Sequence, residues 1–181
     1  MKIACLGWGS LIWDPKSLPI QSQWFKNGPL LPVEFARQSA DGRLTLVIEP
    51  TSNPVPTLWA MMEGIDLDLA RDQLREREGI PKKYIRNIGV WSLEEDTPES
   101  IPNIDEWAID VGVDAVIWTA LGPKFSGYNG RVPSIEEAVD YLGKLSGAEF
   151  KNARRYVCNA PLQIDTAYRR RFEQELGWKP T

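Results

Sequence analysis

The sequence contains no histidine, only two cysteines and no long hydrophobic run. Each absence removes a class of chemistry. Without histidine there is no Ser-His-Asp or Cys-His nucleophile, no HExxH zinc helix and no mixed cysteine-histidine finger. Cys5 and Cys158 are too few for a four-thiolate zinc site or a disulfide framework. Both lie among apolar neighbours, the setting of reduced thiols buried in a core, which points to a reducing cytosol. No apolar stretch approaches the roughly 18 residues of a membrane span, and Met1 to Leu6 reads as a strand rather than a signal peptide. Acid–base chemistry is left to Glu, Asp, Tyr or Lys.

What is present suits an ordinary globular protein. At 181 residues the chain fits a single domain, 1–181, and its 25% charged content leaves enough apolar sequence for a sizeable core. The net charge of -4 argues against nucleic acid or an anionic membrane as partner. The basic clusters Lys82-Lys83, Arg154-Arg155 and Arg169-Arg170-Arg171 read more simply as solvated helix faces.

Residues 2–7 form a short buried strand ending in glycine. Val33 to Ser39 and Leu44 to Ile48 flank Asp41-Gly42, the signature of a hairpin. Val55 to Met62 is a third strand-like run, Tyr84 to Leu93 a fourth and Asp114 to Leu121 a fifth, the last suited to a central strand. Between them the pattern changes period. Asp66 is an N-cap, Leu67, Ala70 and Leu74 mark one face of a helix over about 66–78, and Gly79 and Pro81 end it. An acidic loop with prolines spans Glu94 to Pro102. Ser134-Ile135-Glu136-Glu137 is a capping box opening a helix to about Leu145, with further helices near Asn152 to Cys158 and Thr166 to Leu176. The expected architecture is α+β: a mixed, mainly antiparallel β-sheet or barrel flanked by helices. It is strand-rich over about 1–125 and helical over about 133–178.

The first strand runs into Gly7-Trp8-Gly9-Ser10-Leu11. A dinucleotide-binding turn would need a third glycine where Ile12 stands, then a crossover helix, and neither is present. Glycines still let a ligand approach the backbone, amides near Ser10 and Leu11 could face an anion, and Trp8 supplies a large wall. The alternative is a tight turn with Trp8 in the core.

On the helix over 66–78, Glu78 shares the face of Leu67, Ala70 and Leu74, whereas Glu76 lies opposite. A carboxylate at the C-terminal end of an apolar face meets the helix's partial negative charge and a desolvated setting, which suits a group that exchanges a proton. It could equally pair with Arg77 or Arg86. Arg37 and Glu34, on opposite faces of the strand after the loop, are secondary candidates.

Taken together these residues resemble the γ-glutamylcyclotransferase superfamily, most closely its ChaC-type, AIG2-like branch. That branch opens with a strand and a loop of the form G-Y-G-S-L-I-W-x-P, and here the stretch reads Gly7-Trp8-Gly9-Ser10-Leu11-Ile12-Trp13-Asp14-Pro15. Arg77-Glu78 followed by Tyr84 resembles the family's helix end and later tyrosine. Pro133 to Glu137, Ser146-Gly147 and Asn152 follow in the family's order, so the matches span residues 3 to about 157. The resemblance implies a cofactor-independent lyase-type acyl transfer that cyclises the γ-glutamyl group of a small peptide or amine, such as glutathione, to 5-oxoproline. It makes Glu78 the general acid/base, and Gly7, Trp8, Gly9, Ser10, Leu11 and Tyr84 the substrate-binding residues, with no metal. Trp8 in place of the family's Tyr, and Lys82-Lys83 in place of a glycine pair, bear on which γ-glutamyl compound is used. The alternative is a catalytically inactive small-ligand-binding protein on the same fold.

Overall fold

Among the described residues, alternation and β-branching produce ten strands, most of them short. In chain order the elements of the first two-thirds are β1 (Ile3–Gly7), β2 (Leu30–Leu31), β3 (Val33–Gln38), β4 (Leu44–Ile48), β5 (Val55–Pro56), β6 (Leu58–Met61), α1 (Leu67–Arg77), β7 (Ile88–Ser92), α2 (Ile104–Val111) and β8 (Ala115–Thr119). After them come β9 (Lys124–Phe125), β10 (Tyr128–Asn129), α3 (Ile135–Lys144), α4 (Gly147–Asn159) and α5 (Ala167–Leu176). The computed structural model describes residues 1–21, 23–64 and 66–181. These fall into two compact units that interleave along the chain. The first comprises Met1–Gly7, Asp14–Leu31 and Pro56–Leu121, the second Trp8–Trp13, Pro32–Val55 and Gly122–Thr181.

The first unit is built on a four-stranded sheet of order β6-β1-β8-β7. β1 and β8 are its two central strands and run parallel, pairing Ile3 with Ala115 and Cys5 with Ile117. β6 and β7 are antiparallel to their neighbours. Both central strands are apolar on both faces, and Ile3, Leu6 and Ile117 are fully enclosed, as expected where a sheet is covered on each side. α1 packs on β7 and β8. A short 3-10 segment, Lys82–Asn87, follows α1. The strand expected from Tyr84 therefore begins only at Ile88, because the amide of Tyr84 turns back to the carbonyl of Pro81. α2 lies in a stretch to which the sequence pattern assigned nothing. At eight residues it shows a single buried i,i+4 pair, Ile104 and Ala108, too short a run to declare a period.

The second unit carries a sheet of order β10-β9-β3-β4, with β3 antiparallel to β4 and parallel to β9. The Asp41-Gly42 hairpin forms as expected, with Gly42 at φ +83°. A shift of register between Phe35 and Arg37 breaks the simple alternation of β3. α4 packs on β4 and α5 on β3, while α3 lies against α5. The core centres on Phe35, whose ring meets those of Phe172 and Tyr156 edge-on, at 5.5 and 6.3 Å between centroids. The capping box of α3 is complete: the Ser134 hydroxyl accepts from the Glu137 amide and the Glu137 carboxylate from the Ser134 amide. The architecture is α+β, with mixed and antiparallel sheets flanked by helices. Both sheets are open rather than closed into a barrel. Among the described residues no helix is long and apolar enough to cross a membrane.

Candidate active site

The position of Glu78 is set by how α1 ends. Asp66 caps its start by accepting from the Leu69 amide. At the other end Gly79 adopts φ +68°, its amide bonds the Glu76 carbonyl, and the amide of buried Ile80 bonds the Arg75 carbonyl. This is a Schellman closure, which needs a left-handed residue directly after Glu78 and an apolar residue next. The Arg75 guanidinium reinforces it through the Ile80 carbonyl at 2.7 Å. Glu78 is thus the C-cap, held in helical geometry with a side chain only 18% exposed, whereas Glu76 is 67% exposed.

What Glu78 meets is decided by the sheet. Cys5 pairs with Ile117 across the parallel strands, and Thr119 lies two residues further on the same face of β8. The Thr119 hydroxyl donates to Glu78 Oε1 at 3.3 Å. Glu78 therefore stands at the carboxyl end of β8, the central strand that runs parallel to β1, where open sheets commonly bind ligands.

The carboxylate is charge-paired. Arg77 Nη1 donates to Glu78 Oε1 at 2.7 Å, and Arg77 is itself buried. Its Nε and Nη2 donate to the carbonyl of Asp14 at 3.2 and 2.5 Å, and Lys16 Nζ donates to the Arg77 carbonyl at 3.2 Å. The Asp14-Pro15 end of the glycine-loop motif thus holds the arginine that holds Glu78. Among the described residues both bonds to the carboxylate fall on Oε1. Cys5 lies within electrostatic reach of the pair. Burial pushes its thiol far above the ordinary range, the Glu78 charge adds to the rise, and Arg77 opposes it. Such a thiol is inert as a nucleophile. Both cysteines are free and buried.

The remaining loop residues belong to the second unit. Trp8 is buried, and its indole Nε1 donates to the Leu46 carbonyl at 3.1 Å. Leu11 is buried, Ser10 half-buried, and the Ile12 amide closes a turn onto the Gly9 carbonyl at 3.1 Å. Gly9 is required by contact rather than by backbone conformation. A Cβ there would come within 2.3 Å of the Tyr156 hydroxyl, which donates no room because it already bonds the Leu46 amide at 3.2 Å. Tyr156 is invisible to a motif reading, yet it is the side chain on which the loop rests, with Trp13 edge-on to it at 5.5 Å. Tyr84 stands on the 3-10 segment, 42% exposed, with Lys83 Nζ 5.0 Å from its ring centroid.

The secondary candidates take structural positions. Glu34 is buried, and its carboxylate accepts from the Thr166 hydroxyl at 2.5 Å and the Phe35 and Tyr168 amides at 2.8 and 3.3 Å, capping α5 from outside. Burial pushes its carboxyl up, and these bonds only partly offset the rise. Arg37 Nη1 donates to the Gly122 carbonyl at 2.7 Å. Among the described residues no three carboxylate or thiol groups cluster closely enough to hold a metal ion.

No protein family, curated protein or solved structure matches this chain. Roles are therefore assigned from these side chains and their geometry. Thr119, Asp14 and Tyr156 are the functional neighbours that sequence reasoning missed. Only the parallel pairing of β1 with β8 and the packing of α4 reveal them.

Proposed function

We propose that the protein is a γ-glutamylcyclotransferase-type enzyme acting on a small γ-glutamyl peptide or amine, with Glu78 as the proton carrier. The observation that carries this reading is a half-buried carboxylate at the carboxyl end of β8, bonded among the described residues through Oε1. The reaction needs little else. The substrate's neutral α-amine attacks its own γ-carbonyl carbon, forming the ring C–N bond and a tetrahedral oxyanion. Glu78 takes the proton released by the amine and delivers it to the leaving nitrogen as the original C–N bond breaks, giving 5-oxoproline and a free amine. No electrons change hands, so no redox partner is needed. Because the step is intramolecular, holding one folded conformer supplies much of the acceleration. Arg77 holds the carboxylate in place, and the resemblance gives Gly7 and Tyr84, which belong to the same unit as Glu78, a share in holding the γ-glutamyl group. Two buried free thiols fit a cytoplasmic setting.

The test is 5-oxoproline release from a panel of γ-glutamyl compounds including glutathione. Glu78→Gln should lower kcat by about 10²-fold or more, the usual contribution of a positioned general acid–base. Turnover unchanged in that variant would overturn the role of Glu78.

The Arg77–Glu78 ion pair favours a second reading, a ligand-binding protein without turnover, since it gives the carboxylate a structural partner within the unit. Saturable binding of a γ-glutamyl compound with no 5-oxoproline formed would select it.

A further inference from the structure

The second unit holds a cavity of about 560 Å³ between α4 and the chain segment that follows α5. Four cationic side chains line it, Lys151, Arg154, Arg155 and Lys179, and no Asp or Glu does. Lys151, Arg154 and Arg155 occupy positions i, i+3 and i+4 of α4, so they share one face and repel one another. Among the described residues none of the four has an ion pair or side-chain hydrogen bond. None lies in the last turn of α4, so complementing the helix dipole does not account for them.

The fourth cation is brought in by a built feature. Gly177, at φ +69°, turns the chain after α5, and Trp178 is buried edge-on to Phe150 at 5.6 Å. The amide and hydroxyl of Thr181 then bond the Cys158 carbonyl at 3.0 and 3.1 Å. The segment is thereby pinned to the last turn of α4, and Lys179 lines the same cavity. Even were Thr181 to carry a terminal carboxylate, positive charge would remain in excess, in a chain whose net charge is -4.

We propose that this cavity binds a small anion with two or more phosphoryl groups. Guanidinium forks match phosphoryl oxygens in pairs, and four cations around one space call for more than one anionic group. The volume lies within the range of small-molecule sites and exceeds what two phosphates fill, and Phe150 supplies an apolar wall. The ligand is either inorganic pyrophosphate or a nucleoside diphosphate. This proposal does not depend on the reading of Glu78.

Calorimetric titration with pyrophosphate and with ADP, at low salt and again at about 0.15 M, tests it on the whole chain. Saturable one-to-one binding is expected, weakened about tenfold or more by Arg154→Glu/Arg155→Glu and several-fold by Lys179→Glu. The charge-matched control Lys82→Glu/Lys83→Glu should bind as the wild type does. Arg154, Arg155 and Lys179 are exposed and, among the described residues, form no ion pair, so circular dichroism should report an unchanged fold. The tighter of the two probes identifies the ligand as inorganic or organic. No saturable heat with either probe up to about 1 mM, or equal weakening in the control and the Arg154/Arg155 variant, would overturn the proposal.

Discussion

Three residues show how burial and bonding divide labour among groups of one chemical type. Glu34, Glu76 and Glu78 are all carboxylates, yet one caps a helix from inside the core, one is solvated and one is half-buried beside an arginine. Glu34 carries a direct consequence for pH. Its native carboxyl binds a proton more tightly than the unfolded value of about 4.3. Its contribution to stability is therefore fully present below about pH 4.3 and is lost as pH rises through the raised native value. Urea midpoints measured across that interval should show wild type losing stability relative to Glu34→Gln as pH rises. A flat difference would mean that the hydrogen bonds from Thr166, Phe35 and Tyr168 outweigh burial. Glu78 was legible because helical periodicity put it on the apolar face. Its partner Thr119 was not, because β8 comes beside α1 only in the folded sheet.

Elements were readable where they were long or chemically punctuated. α1 and α3 announce both ends, with Asp66 and Ser134 as caps and Gly79 after the first. The 33–48 hairpin declares itself through Asp41-Gly42. The strand expected from Tyr84 and the silence over α2 mark the opposite case, since a six-residue polar segment and a two-turn helix leave too little pattern. The Schellman end of α1 gives the element-scale prediction. Gly79→Ala forces a side chain into the left-handed region and should cost about 1–2 kcal/mol in urea denaturation, with Gly79→Asn recovering part of it. Because Glu78 is the adjoining C-cap, the proposed function makes 5-oxoproline release by Gly79→Ala fall further than its folded fraction. Equal falls would show that the cap serves stability alone.

Over the whole molecule, protection should follow strand position in each sheet. Amides of Cys5, Leu6, Val116 and Ile117 lie in the central strands of the first sheet, and those of Val33 and Phe35 in the second. They should exchange hydrogen slowest, whereas the exposed ends of β10 and the segment over 94–100 should exchange fastest. Mass-spectrometric exchange would read this, and fast exchange in β1 or β8 would contradict the topology. The sequence by itself determined the chemistry that is available, since a chain without histidine and with two cysteines leaves acid–base work to Glu, Asp, Tyr or Lys. It also determined where α1 stops and which carboxylate stands at that stop, because capping and periodicity are local. Tertiary structure alone decided that Arg77 is held by the Asp14 carbonyl and that Thr119 reaches Glu78. It alone decided that Tyr156 leaves room only for glycine at position 9 and that four cations surround one cavity. Those relations join residues far apart in the chain, and only sheet register and helix packing bring them within bonding distance.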